Sequence, residues 1–122
     1  MIRGIGTDIV EIDRISNAIK KEFFLKKAFN DSEIDMAGDR NRDSFLAGNF
    51  ATKEAFVKAL GTGFRGVELN DLAVLRDELG KPFIKICNNS NRYLQGIDEN
   101  KIHVSISNTD SLAIAMVVIE TD

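Results

Sequence analysis

Ala51-Thr-Lys-Glu-Ala-Phe-Val-Lys-Ala-Leu-Gly-Thr-Gly63 lies near the middle of a 122-residue chain and reads as the end of a helix with a charge on its apolar side. Upstream, Phe45 to Leu60 holds no proline and one glycine, so the spacing predicts a helix over that range. Leu46, Phe50, Val57 and Leu60 recur at helical spacing and form the core-facing stripe. Lys53 projects into this stripe, where an ammonium group needs a partner. Glu54 and Lys58 follow its edge one turn apart, beside the small side chains of Ala47 and Ala51, which leave room for close approach. Gly61-Thr62-Gly63 ends the helix with residues suited to a C-cap. Two readings of these features stand: an amphipathic helix with an i, i+4 Glu–Lys pair and a glycine cap, or one wall of a binding site.

Working outward, the length fits a single domain, residues 1–122, with a substantial core. Hydrophobic residues make up 43% and charged residues 29%, the balance of a water-soluble globular protein. The net charge of −3 argues against nucleic-acid binding by bulk electrostatics. The single Cys87, within Pro-Phe-Ile-Lys-Ile-Cys, has no partner for an intrachain disulfide and is expected to be a small buried residue in a reducing compartment. No apolar run is long enough to span a membrane and no signal-like segment opens the chain, so the expected location is the cytoplasm.

Ile2 to about Ile9 alternates and is rich in β-branched residues, which predicts a strand. Asp8 is an acid inside this apolar run, either a cap for the next helix or a ligand, with Gly4 and Gly6 permitting close approach. Glu11 to Phe29 is expected to be one helix, its stripe formed by Ile12, Ile15, Ile19 and Phe23. Its polar side carries Arg14, Lys20, Lys21, Lys26 and Lys27, which is either a solvated face or a dock for an acidic partner. Asn30-Asp-Ser-Glu33 reads as a cap opening a further helix, with Glu33 in its first turn. After Gly63, Leu69–Arg76 and Phe83–Cys87 are expected to form a hairpin around Glu78-Leu-Gly-Lys-Pro82, with one helical turn at Arg92–Gln95 beyond it. Ile102–Ser107 and Leu112–Glu120 form a second hairpin, with His103, Ser105 and Ser107 on one face and Ala113–Ile119 apolar enough for a central strand. The fold class is α+β: an N-terminal strand and helices, then antiparallel strands.

Asp8 and Glu54 are well-separated oxygen donors without Cys or His partners, a set that suits Mg²⁺ better than Zn²⁺. Lys53, Lys58 and the Gly-Thr-Gly loop beside them suit a phosphate-bearing ligand. That loop is not a Walker A motif, and Gly4-Ile-Gly6 is not a dinucleotide fingerprint. His103 reads as a general base or, by the simpler account, a hydrogen-bonded strand histidine. No Ser–His–Asp or Cys–His arrangement is evident.

Three segments, Gly4-Ile-Gly-Thr-Asp-Ile-Val-Glu-Ile-Asp-Arg-Ile15, Phe45 to Gly63, and His103-Val-Ser-Ile-Ser107, closely resemble the holo-[acyl-carrier-protein] synthases, the small 4′-phosphopantetheinyl transferases of fatty-acid biosynthesis. The resemblance implies the 4′-phosphopantetheinyl transferase fold and transfer of 4′-phosphopantetheine from coenzyme A to a serine of apo acyl carrier protein, releasing adenosine 3′,5′-bisphosphate. It implies that Asp8 and Glu54 hold Mg²⁺ and act with Lys58 in catalysis. It further implies that Lys53, Lys58, Gly61, Thr62, Gly63, Ser107, Asn108 and Thr109 line the coenzyme A site, and that Arg14, Lys20 and Lys21 receive the carrier protein. A homotrimer with sites at the subunit interfaces also follows from it. Two positions depart from the family pattern: Asn49 stands where an arginine is usual and Asn108 where a second histidine is usual, both in segments the resemblance places at coenzyme A. They support an alternative, a weak or inactive relative that binds coenzyme A or a carrier protein without transfer.

Overall fold

A computed structural model describes residues 1–121 of the chain. The first strand, β1 (Ile2–Glu11), runs past its expected end and hands over directly to α1 (Ile12–Ala18). The single helix expected over Glu11–Phe29 is two helices, α1 and α2 (Glu22–Ala28), because Lys21 is extended and separates them. The break changes the helical phase. Phe24, Leu25 and Ala28 turn towards the interior, while Phe23, expected in the apolar stripe, is 80% exposed.

Then come α3 (Asp31–Ala37), the long α4 (Arg42–Leu60), the hairpin β2 (Leu72–Arg76) and β3 (Pro82–Ile86), and the pair β4 (Ile102–Asn108) and β5 (Leu112–Glu120). Short 3₁₀ turns precede β2 and β4. Leu94 and Gln95 both donate their backbone N–H to the Asn91 carbonyl, a single turn where one was expected. The α+β class holds.

The main sheet is antiparallel in the order β1-β5-β4, with β5 central as its apolar composition requires. Its inner face, including Ala113, Ala115, Val117 and Ile119, is covered by α4. Helix α4 also packs against α1, α3 and β2, so it is enclosed rather than half-buried. Asn49, Thr52 and Lys53 are therefore buried along with its apolar residues, which a one-sided stripe does not anticipate.

The room beside Ala47 and Ala51 continues as a row of alanines through Ala55 and Ala59, all buried. What approaches this helix is the chain's own first strand. A Cβ built on Gly4 would lie 1.9 Å from the Ala59 carbonyl oxygen, and one on Gly6 would lie 1.9 Å from that of Ala55. Only glycine allows β1 to run this close.

Cys87 is exposed, against expectation. Ile84 and Ile86 take the inward positions of β3, and Cys87 follows the strand's end. No helix among the described residues is long and apolar enough to cross a membrane.

Candidate active site

The alternation of β1 turns Ile5, Thr7 and Ile9 outward, so Asp8 falls on the same side as Gly6, facing α4. There it meets the C-terminal half of α4. Lys58 Nζ donates to Asp8 Oδ1 at 3.2 Å and to the Thr7 carbonyl at 2.9 Å. Thus the lysine expected to pair along the helix with Glu54 instead ties the helix to the strand. Glu54 shares a cleft with Asp8, Arg14, Phe24 and Phe50 that encloses about 590 Å³. Burial pushes the Glu54 carboxyl above the usual carboxylate range, the Asp8 charge adds to this, and Lys58 opposes it.

Two carboxylates beside one another in a half-closed cleft repel and lack a full set of partners. Their hard oxygens match what Mg²⁺ takes from proteins, one or two carboxylates with the remaining positions left to water and phosphate. No cluster of three or more His, Cys, Asp or Glu suited to a metal occurs among the described residues. The residues fit the ion.

Phe24 and Phe50 form the apolar side of the cleft, their ring centroids 6.2 Å apart. Sequence reasoning missed Phe24, because its place depends on the break before α2. Arg14 lines the same cleft, while Lys20 and Lys21 lie exposed at the α1–α2 junction beside Phe23. Lys27 stands 5.9 Å from the Phe23 ring centre.

Gly61 caps α4 with φ 87° and donates to the carbonyls of Val57 and Lys58, and Gly63 donates to that of Val57. The cap expected of these glycines is present, with their amides already bonded. The Thr62 hydroxyl donates to the Gly63 carbonyl at 2.7 Å.

Lys53 is corrected as a coenzyme A contact: it has no exposed side-chain surface. Its ammonium bonds Glu33 Oε1 and the Ala28 carbonyl, each at 2.7 Å, and lies 5.2 Å from the Phe29 ring centre. Burial lowers its pKa, with the Glu33 carboxylate acting in the opposite sense. Asn49 is likewise removed from any ligand surface. Its Nδ2 donates to Glu33 Oε2 and to the Val74 carbonyl, both at 2.9 Å, while its Oδ1 is buried without a partner. The sequence signal for this network was Lys53 itself, since a lysine in an apolar stripe demands a carboxylate.

Asn108 and Thr109 sit apart from the carboxylates, lining a different cleft with Asn41 and Ser44 near the start of α4. Ser107 lies on β4 before them. His103 is exposed on the same strand and bonds Glu120 at 2.5 Å, which holds the Glu120 carboxyl below its usual range. That is the strand-histidine reading.

A carboxylate pair and a lysine brought together between the first strand and a long central helix are compatible with a small group-transfer enzyme. The comparisons with known proteins agree. The family model of the 4′-phosphopantetheinyl transferase superfamily matches residues 4–117. The holo-[acyl-carrier-protein] synthase of Clostridium perfringens is 48% identical over 98% of this chain and 95% of its own length. That of Halothermothrix orenii is 46% identical over 97% of each chain. Among solved structures, the Neisseria meningitidis synthase superposes with TM-score 0.87 at 35% identity, covering 99% of this chain and 100% of its own. The Helicobacter pylori synthase, solved in complex with coenzyme A, gives 0.82 at 34% identity over 95% of this chain and 99% of its own. The chain belongs to the 4′-phosphopantetheinyl transferase superfamily, among its holo-[acyl-carrier-protein] synthases.

Proposed function

We propose that the Asp8–Glu54 cleft moves the 4′-phosphopantetheine group of coenzyme A onto a serine hydroxyl of apo acyl carrier protein, releasing adenosine 3′,5′-bisphosphate. The observation that carries this reading is the convergence of Asp8, Glu54 and Lys58 on one face between β1 and α4. It is supported by the relatives' activity and by the coenzyme A bound to the Helicobacter pylori synthase.

Asp8 and Glu54 would hold Mg²⁺, which when bound supplies charge neutralisation at the pyrophosphate and orients it for attack. Lys58 sets a fixed positive charge beside both carboxylates, able to offset phosphate charge as it develops. Phe24 and Phe50 give the same space one apolar wall, which strengthens electrostatic contacts made beside it. Gly61, Thr62 and Gly63, shortly after Lys58, permit close approach of coenzyme A, with Thr62 the loop's polar side chain. The nucleophile belongs to the carrier protein, consistent with a cleft that holds no serine, cysteine or histidine among its lining residues.

Arg14, Lys20 and Lys21, joined by Lys27 and the exposed Phe23, form a basic and partly apolar surface beside the cleft, suited to an acidic carrier protein. Self-association as a homotrimer has two supports. The outer face of the main sheet exposes Ile5, Ile9, Ile114 and Met116, an apolar patch of the kind that marks an interface. Ser107, Asn108 and Thr109 lie away from the carboxylates of their own chain, so they serve coenzyme A if a neighbouring subunit presents them. The unpaired Cys87 suits the cytoplasm, where thiols stay reduced.

The weak-relative alternative loses one of its two supports, because Asn49 is part of a buried network. The test is release of adenosine 3′,5′-bisphosphate from coenzyme A, with apo carrier protein or with a carrier whose acceptor serine is replaced by alanine. Release with the first alone supports transfer, and release with neither, while coenzyme A still binds, supports the alternative.

A further inference from the structure

The buried pair of Glu33 and Lys53 has no part in the chemistry above, and its surroundings suggest why a fold would keep it. Both side chains are fully buried. Lys53 Nζ reaches the carbonyl of Ala28, the last residue of α2, and Glu33 Oε1 also accepts from the Asn30 backbone N–H at 3.0 Å. Asn49, one turn before Lys53, takes the other Glu33 oxygen at 2.9 Å. Two side chains of α4 thereby hold the short link between α2 and α3. Helix α2 has seven residues, and the extended backbone at Lys21 separates it from α1. A helix this short is marginal by itself and depends on its tertiary contacts. One turn before Glu54, and between Asn49 and Lys53 in sequence, Phe50 meets Phe24 of α2 at the cleft.

We propose that Glu33 and Lys53 are positioning residues for the transfer reaction: their buried ion pair fixes α2 against α4, setting the Phe24 wall and the basic surface that the carrier protein meets. A buried ion pair is often worth no more to stability than apolar residues of like volume, and in some proteins its directional bonds are what specify one arrangement. Here the specified arrangement is the junction of α2 with α4. The proposal rests on the cleft being the transfer site, and its test separates the two.

The experiment uses the full chain with Glu33→Met and Lys53→Met combined, and Glu33→Gln alone. The double change removes both charges together but leaves the Asn30 N–H, the Asn49 amide and the Ala28 carbonyl without these partners, so the folded variant is expected to melt below the parent. Amide exchange across residues 22–29 should accelerate, and KM for apo carrier protein should rise about tenfold, equivalent to ~1.4 kcal/mol, with kcat at saturation altered much less. Glu33→Gln keeps an acceptor for Lys53 and should give a smaller change in the same direction. A folded double variant with parental exchange in α2 and parental KM would overturn the proposal. If the double variant does not fold, Glu33→Gln decides: unchanged exchange and unchanged KM overturn it. Failure of the parent protein to transfer at all refutes the assignment of the cleft, whereas exchange in α2 still reports on the anchoring.

Discussion

Gly6 crosses the backbone of Ala55 so closely that a side chain on Gly6 would begin 1.9 Å from the Ala55 carbonyl oxygen. Asp8 lies two residues after Gly6 and Glu54 one residue before Ala55, so this contact determines how near the two carboxylates come. Gly6→Ala should displace β1 from α4, costing about 1–3 kcal/mol or more as overpacking does. Transfer should fall further than stability alone explains. Urea denaturation alongside initial rates checks this, with Leu79→Ala in the exposed β2–β3 turn as the control for stability.

Glu54 makes stability depend on pH through its raised pKa and lets the proposed Mg²⁺ ligation be tested by melting. Its folded-state pKa is raised, so the folded protein binds a proton more readily than the unfolded chain, and stability declines as pH rises through the window from the ordinary carboxylate value to the raised one. Above that window Glu54→Gln removes an unfavourable charge. In EDTA at neutral pH this variant should melt no lower than the parent, while Mg²⁺ should raise the melting temperature of the parent alone. Thermal scans with and without Mg²⁺ measure both effects. A parent unaffected by Mg²⁺ would remove the carboxylates as its ligands.

Lys58 donates to both Asp8 and the Thr7 carbonyl, holding strand and helix together at the site. Lys58→Met should preserve the fold and lower kcat about 10²-fold, the scale for losing one oriented donor at developing charge. Steady-state kinetics, with circular dichroism to establish folding, tests it.

The exposed row of Ile5, Ile9, Ile114 and Met116 gives a prediction about assembly. Met116→Glu places a charge on the sheet's outer face and should oppose the proposed self-association. Sedimentation velocity should show the smaller species, and transfer should fall with it. A monomeric parent that transfers at full rate would contradict the interfacial site.

Much of the site is legible in the sequence because local patterns carry it. The acid inside the β-branched run at Asp8, the glycines before it, and the Glu54–Lys58 spacing before a glycine cap are all visible, and the structure joins them. The partners are less legible. Lys53 announces a need for a carboxylate, yet its partner is 20 residues upstream, in a glutamate that reads equally well as a helix cap. Glu33 does both jobs. The position of Phe24 depends on a break between α1 and α2 that no proline or glycine marks, since Ile19 to Glu22 is compatible with continuing the helix. Cys87 reads as buried because its neighbours are apolar, but the alternation of β3 turns Ile84 and Ile86 inward and leaves the cysteine outside.

Asp8 and Glu54 are proposed to act together in transferring phosphopantetheine to a carrier protein. Intact-mass analysis of apo acyl carrier protein incubated with this protein, coenzyme A and Mg²⁺ tests it most directly, beside an EDTA control and the Asp8→Asn and Glu54→Gln variants. The expected result is a mass increase of one phosphopantetheine group with Mg²⁺ and the parent protein, abolished by EDTA and by either substitution. An unmodified carrier in the complete reaction, or full modification by either variant, would contradict it.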